Sequence, residues 1–145
     1  MRRRLLRLML IAALPVALPA LLAAQTATPA KTDAELLILG RQMYDWYLAG
    51  EADSVFAHLS ADARQGAGGV NGVLQSVGNF LARVGVENEM VEEKMNRRRG
   101  LQQYWREGHY SGFTEEPLVF RWVFDEHGDV VGIGTGPKSQ TPAPD

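Results

Sequence analysis

Residues 118–137 read LVFRWVFDEHGDVVGIGTGP, and the way this stretch folds constrains everything before it. Leu118, Phe120, Trp122 and Phe124 alternate with Val119, Arg121, Val123 and Asp125. Side chains two apart share one face of a strand, so the alternation predicts a strand with an aromatic face turned to a core. Asp125-Glu126-His127-Gly128-Asp129 follows. A histidine among three carboxylates invites a metal or acid–base reading, but a calcium loop needs a longer ladder of ligands. Polar side chains that bond their own backbone, with a Gly free to take positive φ, are what a tight hairpin turn needs. Val130 to Thr135 is then the partner strand.

Upstream of this hairpin the period changes. Leu101 to Tyr110 predicts another strand, with Gln103, Trp105, Glu107 and His109 on one face and Tyr104, Arg106 and Tyr110 on the other. Ser111 to Pro117 is expected as a loop, Arg97-Arg98-Arg99-Gly100 as a hairpin turn, and Val86 to Met95 as a polar strand. Before Gly85, apolar residues recur at helical spacing: Val70, Val73, Leu74, Val77, Phe80, Leu81 and Val84 form one stripe. Gly66, Gly68 and Gly69 precede it, after a short helix at about 53–59 and a capped turn from Ser60 to Arg64. The first helix opens with a capping box, Thr32 to Glu35, carries Leu36, Leu37, Met43, Tyr44, Tyr47 and Leu48, and stops at Gly50. Helices first and an antiparallel meander after them predict an α+β domain, with the helices packed on one face of the sheet.

The ends differ from this body. Arg2, Arg3, Arg4 and Arg7 precede an apolar run, Leu8 to Leu22, and the small residues Ala23 and Ala24. That order predicts a secretory signal peptide over 1–24, hence a secreted or periplasmic protein. The run is interrupted by Pro15 and Pro19 and is shorter than a membrane span requires, so no stable span is expected after cleavage. Residues 25–31 read as a linker, 32–137 as a single domain, and the Pro/Ser/Thr stretch 138–145 as a disordered tail. The chain has 15 basic and 17 acidic residues; without the four arginines of the signal, 11 basic face 17 acidic, a net charge of −6. An acidic domain lacks the clustered basic face of a nucleic-acid binder. There is no cysteine and the three histidines are not at ligand spacing, so neither disulfide, metal nor other cofactor is expected.

The opening helix with its YDWYLAGEADSVFAHLSADAR continuation, and the closing LVFRWVFDEHGDVVGI, resemble the nuclear transport factor 2-like (SnoaL-like) superfamily. Gly50 to Ser60 resembles the short segment that follows the first helix there, and Asp125–Gly128 with Val131-Gly132 resembles its last turn. The resemblance implies a cystatin-like cone: a curved sheet wrapped around the long helix, leaving a pocket. Enzyme members place Asp, His or Tyr in that pocket, while many others are binding or accessory domains. No motif of this chain matches an enzyme branch residue by residue.

Tyr44, Tyr47, Trp105, Phe120, Trp122 and Phe124 lie on the elements that would enclose such a cone. Aromatics at this spacing make a core, or the lining for a small apolar ligand oriented by Tyr hydroxyls and an indole N–H. Asp45 and His109 are the polar groups that could serve a pocket. Asp45 has Arg41 four residues before it, which points to a solvated ion pair; His109 lies at a strand end beside Gly108, which points to the surface. Arg97 to Arg99 are expected to balance Glu87, Glu89, Glu92 and Glu93 across strands. The sequence supports a non-catalytic binding or accessory domain, with homodimerisation through the sheet as one form of it. The alternative is a cofactor-independent isomerase, cyclase or dehydratase.

Overall fold

The computed structural model describes residues 30–145. The expected signal peptide and most of the linker lie outside the described residues. Four helices come first: α1 (Asp33–Ala49), α2 (Ala52–Ala57), α3 (Ala61–Ala67) and α4 (Gly69–Val84). Four strands follow, β1 (Glu87–Arg98), β2 (Leu101–Tyr110), β3 (Phe113–Phe124) and β4 (Val130–Pro137). They form one curved antiparallel sheet in the order β1-β2-β3-β4. The expected α+β architecture is the one found, with the helices on the inner face of the sheet.

Local chemistry sets the boundaries. Thr32 Oγ1 accepts from the Glu35 backbone N–H, and the Glu35 carboxylate accepts from Thr32 N–H at 2.8 Å, closing the capping box. Gly50, at φ +73°, ends α1 in the left-handed region. The second helix stops at Ala57, earlier than the sequence suggests, because Leu59 is used elsewhere: it forms an isolated parallel bridge with Val130, with Ser60 N–H donating to Val130 O and Val130 N–H to His58 O. Ser60 then caps α3, its Oγ accepting from Ala63 N–H. In α4 the buried stripe is Val73, Val77, Phe80 and Val84; Leu74, expected on it, is exposed.

The loop expected at 111–117 shrinks to Ser111-Gly112, and β3 begins at Phe113, opposite Tyr110. The β1–β2 turn holds Arg99 at φ +51° and Gly100 at φ +78°, two successive positive values as in the mirror-image turns that suit hairpin twist. Its arginines do not meet the β1 glutamates. Register puts Glu87 opposite Tyr110, at the far end of the hairpin from Arg97 and Arg98, and Arg97 approaches Asp33 instead.

Tyr104, Tyr110, Phe120, Trp122 and Phe124 point from the sheet into the helices and meet Leu36, Met43, Tyr44, Tyr47 and the α4 stripe in one core. Burying side chains of this size stabilises by about 1.5–3 kcal/mol each. Gly40 makes close contact possible: a Cβ there would come within 2.4 Å of the Tyr104 ring, so only glycine lets α1 lie against β2.

The outer face carries a layer the sequence does not suggest. Lys94, Trp105, Arg121 and Gly134 form one row across four strands, and the Arg121 guanidinium passes over Gly134 where a Cβ would stand. Residues 138–145, expected to be disordered, are tied to the strands. Lys138–Gln140 forms a 3-10 turn, Lys138 Nζ reaches the buried Glu107 carboxylate at 2.7 Å, and Ser139 bonds Glu116. At the opposite end of the sheet, Asp145 N–H donates to Arg97 O and its carboxylate accepts from Arg99 N–H. Among the described residues no helix is long and apolar enough to cross a membrane.

Candidate functional site

The six aromatic candidates separate. Phe120 is the centre of the core, with the rings of Tyr44, Tyr47, Phe80 and Trp122 at 4.9 to 5.9 Å from it or from one another. Phe124 is fully buried at the end of the same strand face. Trp105 is not with them. It lies on the outer face beside Arg121, with the Lys94 ammonium 5.8 Å from its ring. Register explains this: Tyr104, not Trp105, is paired with Trp122. The polar candidates also fall outside the core. Asp45 is exposed, and Arg41 turns from it to Glu93 on β1; His109 is half-buried on the outer face opposite Glu89.

The α1–β1–β2 side is closed by a polar network. Arg106 on β2 binds Glu87 with Nε at 2.9 Å and Glu93 with Nη1 at 3.1 Å. Tyr44 donates to Glu87 at 2.8 Å, its hydroxyl lies 2.6 Å from that of Tyr110, and Tyr104 donates to Glu93 at 2.6 Å. Arg41 completes the ligation of Glu93. Burial, with Tyr110 and Glu87 beside it, pushes the Tyr44 hydroxyl far up, and burial moves Tyr110 up to about 12. Burial likewise raises Tyr104, reinforced by Glu93. These tyrosines are therefore protonated donors. Burial alone would raise Glu93, but hydrogen bonds from Arg41 and Tyr104 outweigh it and hold the carboxyl below its usual range. The group borders a shallow depression that also touches Asp45 and Leu48.

The opposite side is open. Val131, Ile133 and Thr135 of β4 belong to the inner, helix-facing side, as the Trp122–Ile133 and Phe120–Thr135 pairs require. Yet Val131 and Ile133 are 39% and 46% exposed, because the helices do not close over β4. Between β4 and the α3–α4 pair lies a cleft with two lobes. One, of about 400 Å³, is apolar and walled by Val55, Leu59, Ala63, Gly66, Val73 and Trp122 with the β4 residues. The other, of about 360 Å³, is polar and walled by Gln75, Asn79, Arg83 and Thr135. Tyr47, Ala67, Gly72, Ser76 and Ile133 border both lobes, and a Tyr47–Ser76 hydroxyl bond of 2.9 Å stands where they meet. Burial raises the Tyr47 hydroxyl, against the lowering effect of Ser76 and of the Arg83 charge. Of the six aromatic candidates, Tyr47 and Trp122 line this cleft.

Gly72, Ser76, Asn79 and Arg83 recur at spacings of four, three and four, one face of α4 adjoining its buried stripe. Sequence reading missed them because small and polar residues at helical spacing read as a solvated face. The Asp125–Asp129 segment is the hairpin turn expected: Asp125 Oδ1 accepts from His127 and Asp129 N–H, and Gly128 sits at φ +78°. Among the described residues no group of three His, Cys, Asp or Glu is arranged to hold a metal ion. No family model, curated protein or solved structure matches the chain.

Proposed function

We propose that this is an exported, non-catalytic binding domain that holds a small apolar molecule in the cleft between β4 and the α3–α4 pair. The observation that carries the reading is the inner face of β4: Val131 and Ile133 occupy core-facing positions yet are left open to a cavity of drug-like size. The secreted or periplasmic location rests on the amino-terminal pattern, and the cone-shaped superfamily on the segments that resemble it.

Titration of the 15N-labelled protein with an uncharged apolar probe, 1-decanol, tests the reading. Saturable shifts of the amides of Ala63, Ala67 and Ile133 are expected, and they should be lost in Gly66→Phe. That substitution sits in α3 with open space around the added Cβ and directs a ring into the lobe. No saturable shift up to the solubility limit would defeat the reading. Light scattering tests the dimerising form of it, since pairing of two copies through the outer face would have to displace residues 138–145. The isomerase, cyclase or dehydratase alternative needs a proton carrier beside a cavity. Neither lobe is lined by a carboxylate or imidazole, and the Glu87 carboxylate at the other side is engaged by Arg106 and Tyr44.

A further inference from the structure

Resting on that cleft as the binding site, we infer that its guest is a single-chain amphiphile with a carboxylate head, whose apolar chain lies in the first lobe and whose head is held by Arg83 in the second. Two observations support it independently. The lobes are continuous, sharing Tyr47, Ala67, Gly72, Ser76 and Ile133 as walls, so an elongated molecule can extend along these residues from one to the other. Their chemistry is also divided as an amphiphile is divided, with aliphatic walls at one end and Gln75, Asn79, Thr135 and Arg83 at the other.

Charge supplies the second line. Arg83 donates to Thr135 Oγ1 at 3.1 Å, and among the described residues no carboxylate lies within ion-pair distance of it. The chain is acidic overall, yet no Asp or Glu lines either lobe. The guanidinium is thus the one formal charge on the walls of the two lobes. A guanidinium fork matches a carboxylate with two parallel N–H···O bonds, and the neighbouring Thr135 hydroxyl adds a third donor.

Isothermal titration of the protein with decanoate and with 1-decanol, at pH 8 and low salt, tests the inference. Decanoate is expected to bind about tenfold more tightly than 1-decanol, a ratio that falls as salt is added. In Arg83→Ala, an exposed position on α4, the preference for decanoate over 1-decanol should be lost; Arg83→Lys should restore part of it. Equal binding of the two probes to the wild type would overturn the carboxylate assignment while leaving the cleft as the apolar site. Full decanoate preference in Arg83→Ala would overturn the role of Arg83. If neither probe binds, the cleft reading itself fails, and this inference with it.

Discussion

The two sides of the helical layer close in different ways. Over β1 and β2, α1 lies against the sheet at Gly40, and the polar rim is filled by two arginines, two glutamates and three tyrosines bonded to one another. Over β4 the helices stop short, and a core-facing row of Val131, Ile133 and Thr135 stands exposed beside a cleft. The same α4 serves both situations: its Val73–Val84 stripe is buried, and the adjoining Gly72–Arg83 face is not. The lesson concerns where stability and binding reside. A side sealed by contacts and ion pairs has little room for a guest, and a side built to admit one gives up packing there.

That contrast can be broken by substitution. The largest effect is expected from Phe120→Ala, which empties the shared centre of both sides and should cost about 3–5 kcal/mol in urea unfolding. Next, on the closed side, Gly40→Ala drives a methyl into the Tyr104 ring and should cost about 1–3 kcal/mol, although alanine favours helix. Tyr44→Phe removes the acceptor of Tyr110 and a donor to Glu87 together, with an expected loss of about 1–3 kcal/mol. On the open side Ile133→Ser should change stability by no more than about 0.5 kcal/mol, because the side chain is already near half exposed, while weakening 1-decanol binding. A large stability loss there would mean that the two sides are not different in kind.

Acid sharpens the same comparison. Glu93 is held below its usual range in the folded state, so its contribution is present above the unfolded carboxyl value near 4.3 and is lost as pH falls through the lower folded value. Stability should therefore fall below about pH 4.5 more steeply in the wild type than in Glu93→Gln, as read from urea midpoints. At pH 7 the substitution itself should be destabilising, since it leaves Arg41 and Arg106 without their shared carboxylate.

The elements of the core were legible in the chain, and neither the polar rim nor the cleft was. The alternation at 118–124, the capping box at Thr32 and the Val73–Val84 stripe are local patterns, each fixed by neighbours within a few residues. Trp105 shows what local patterns omit. The two faces of β2 are read correctly from parity, but only pairing with β3 decides that Tyr104 and Tyr110, rather than Trp105, look toward the helices. Arg41 shows the same for charge: an i, i+4 partner in Asp45 is worth a few tenths of a kcal/mol, and a part-buried carboxylate already held by Tyr104 and Arg106 outcompetes it. Gly40 carries no local signal, and its role shows only when Tyr104 is placed against it. The tail reads as loose because its composition is that of a linker, whereas its anchors, Glu107, Glu116 and the β1–β2 turn, are more than 20 residues away in sequence.

The three tryptophans lie in three unlike surroundings, which makes the protein its own spectrometer. Trp122 borders the cleft, so its emission should shift when a guest enters. Trp105, on the outer face with the Lys94 cation nearby, is placed to sense release of the carboxyl-terminal segment. Trp46 stacks on His58, with ring centres 5.6 Å apart and planes at 16°, so its emission should report the packing of α1 on the end of α2. Single-tryptophan versions would follow occupancy, tail and helix packing separately, with no dye attached.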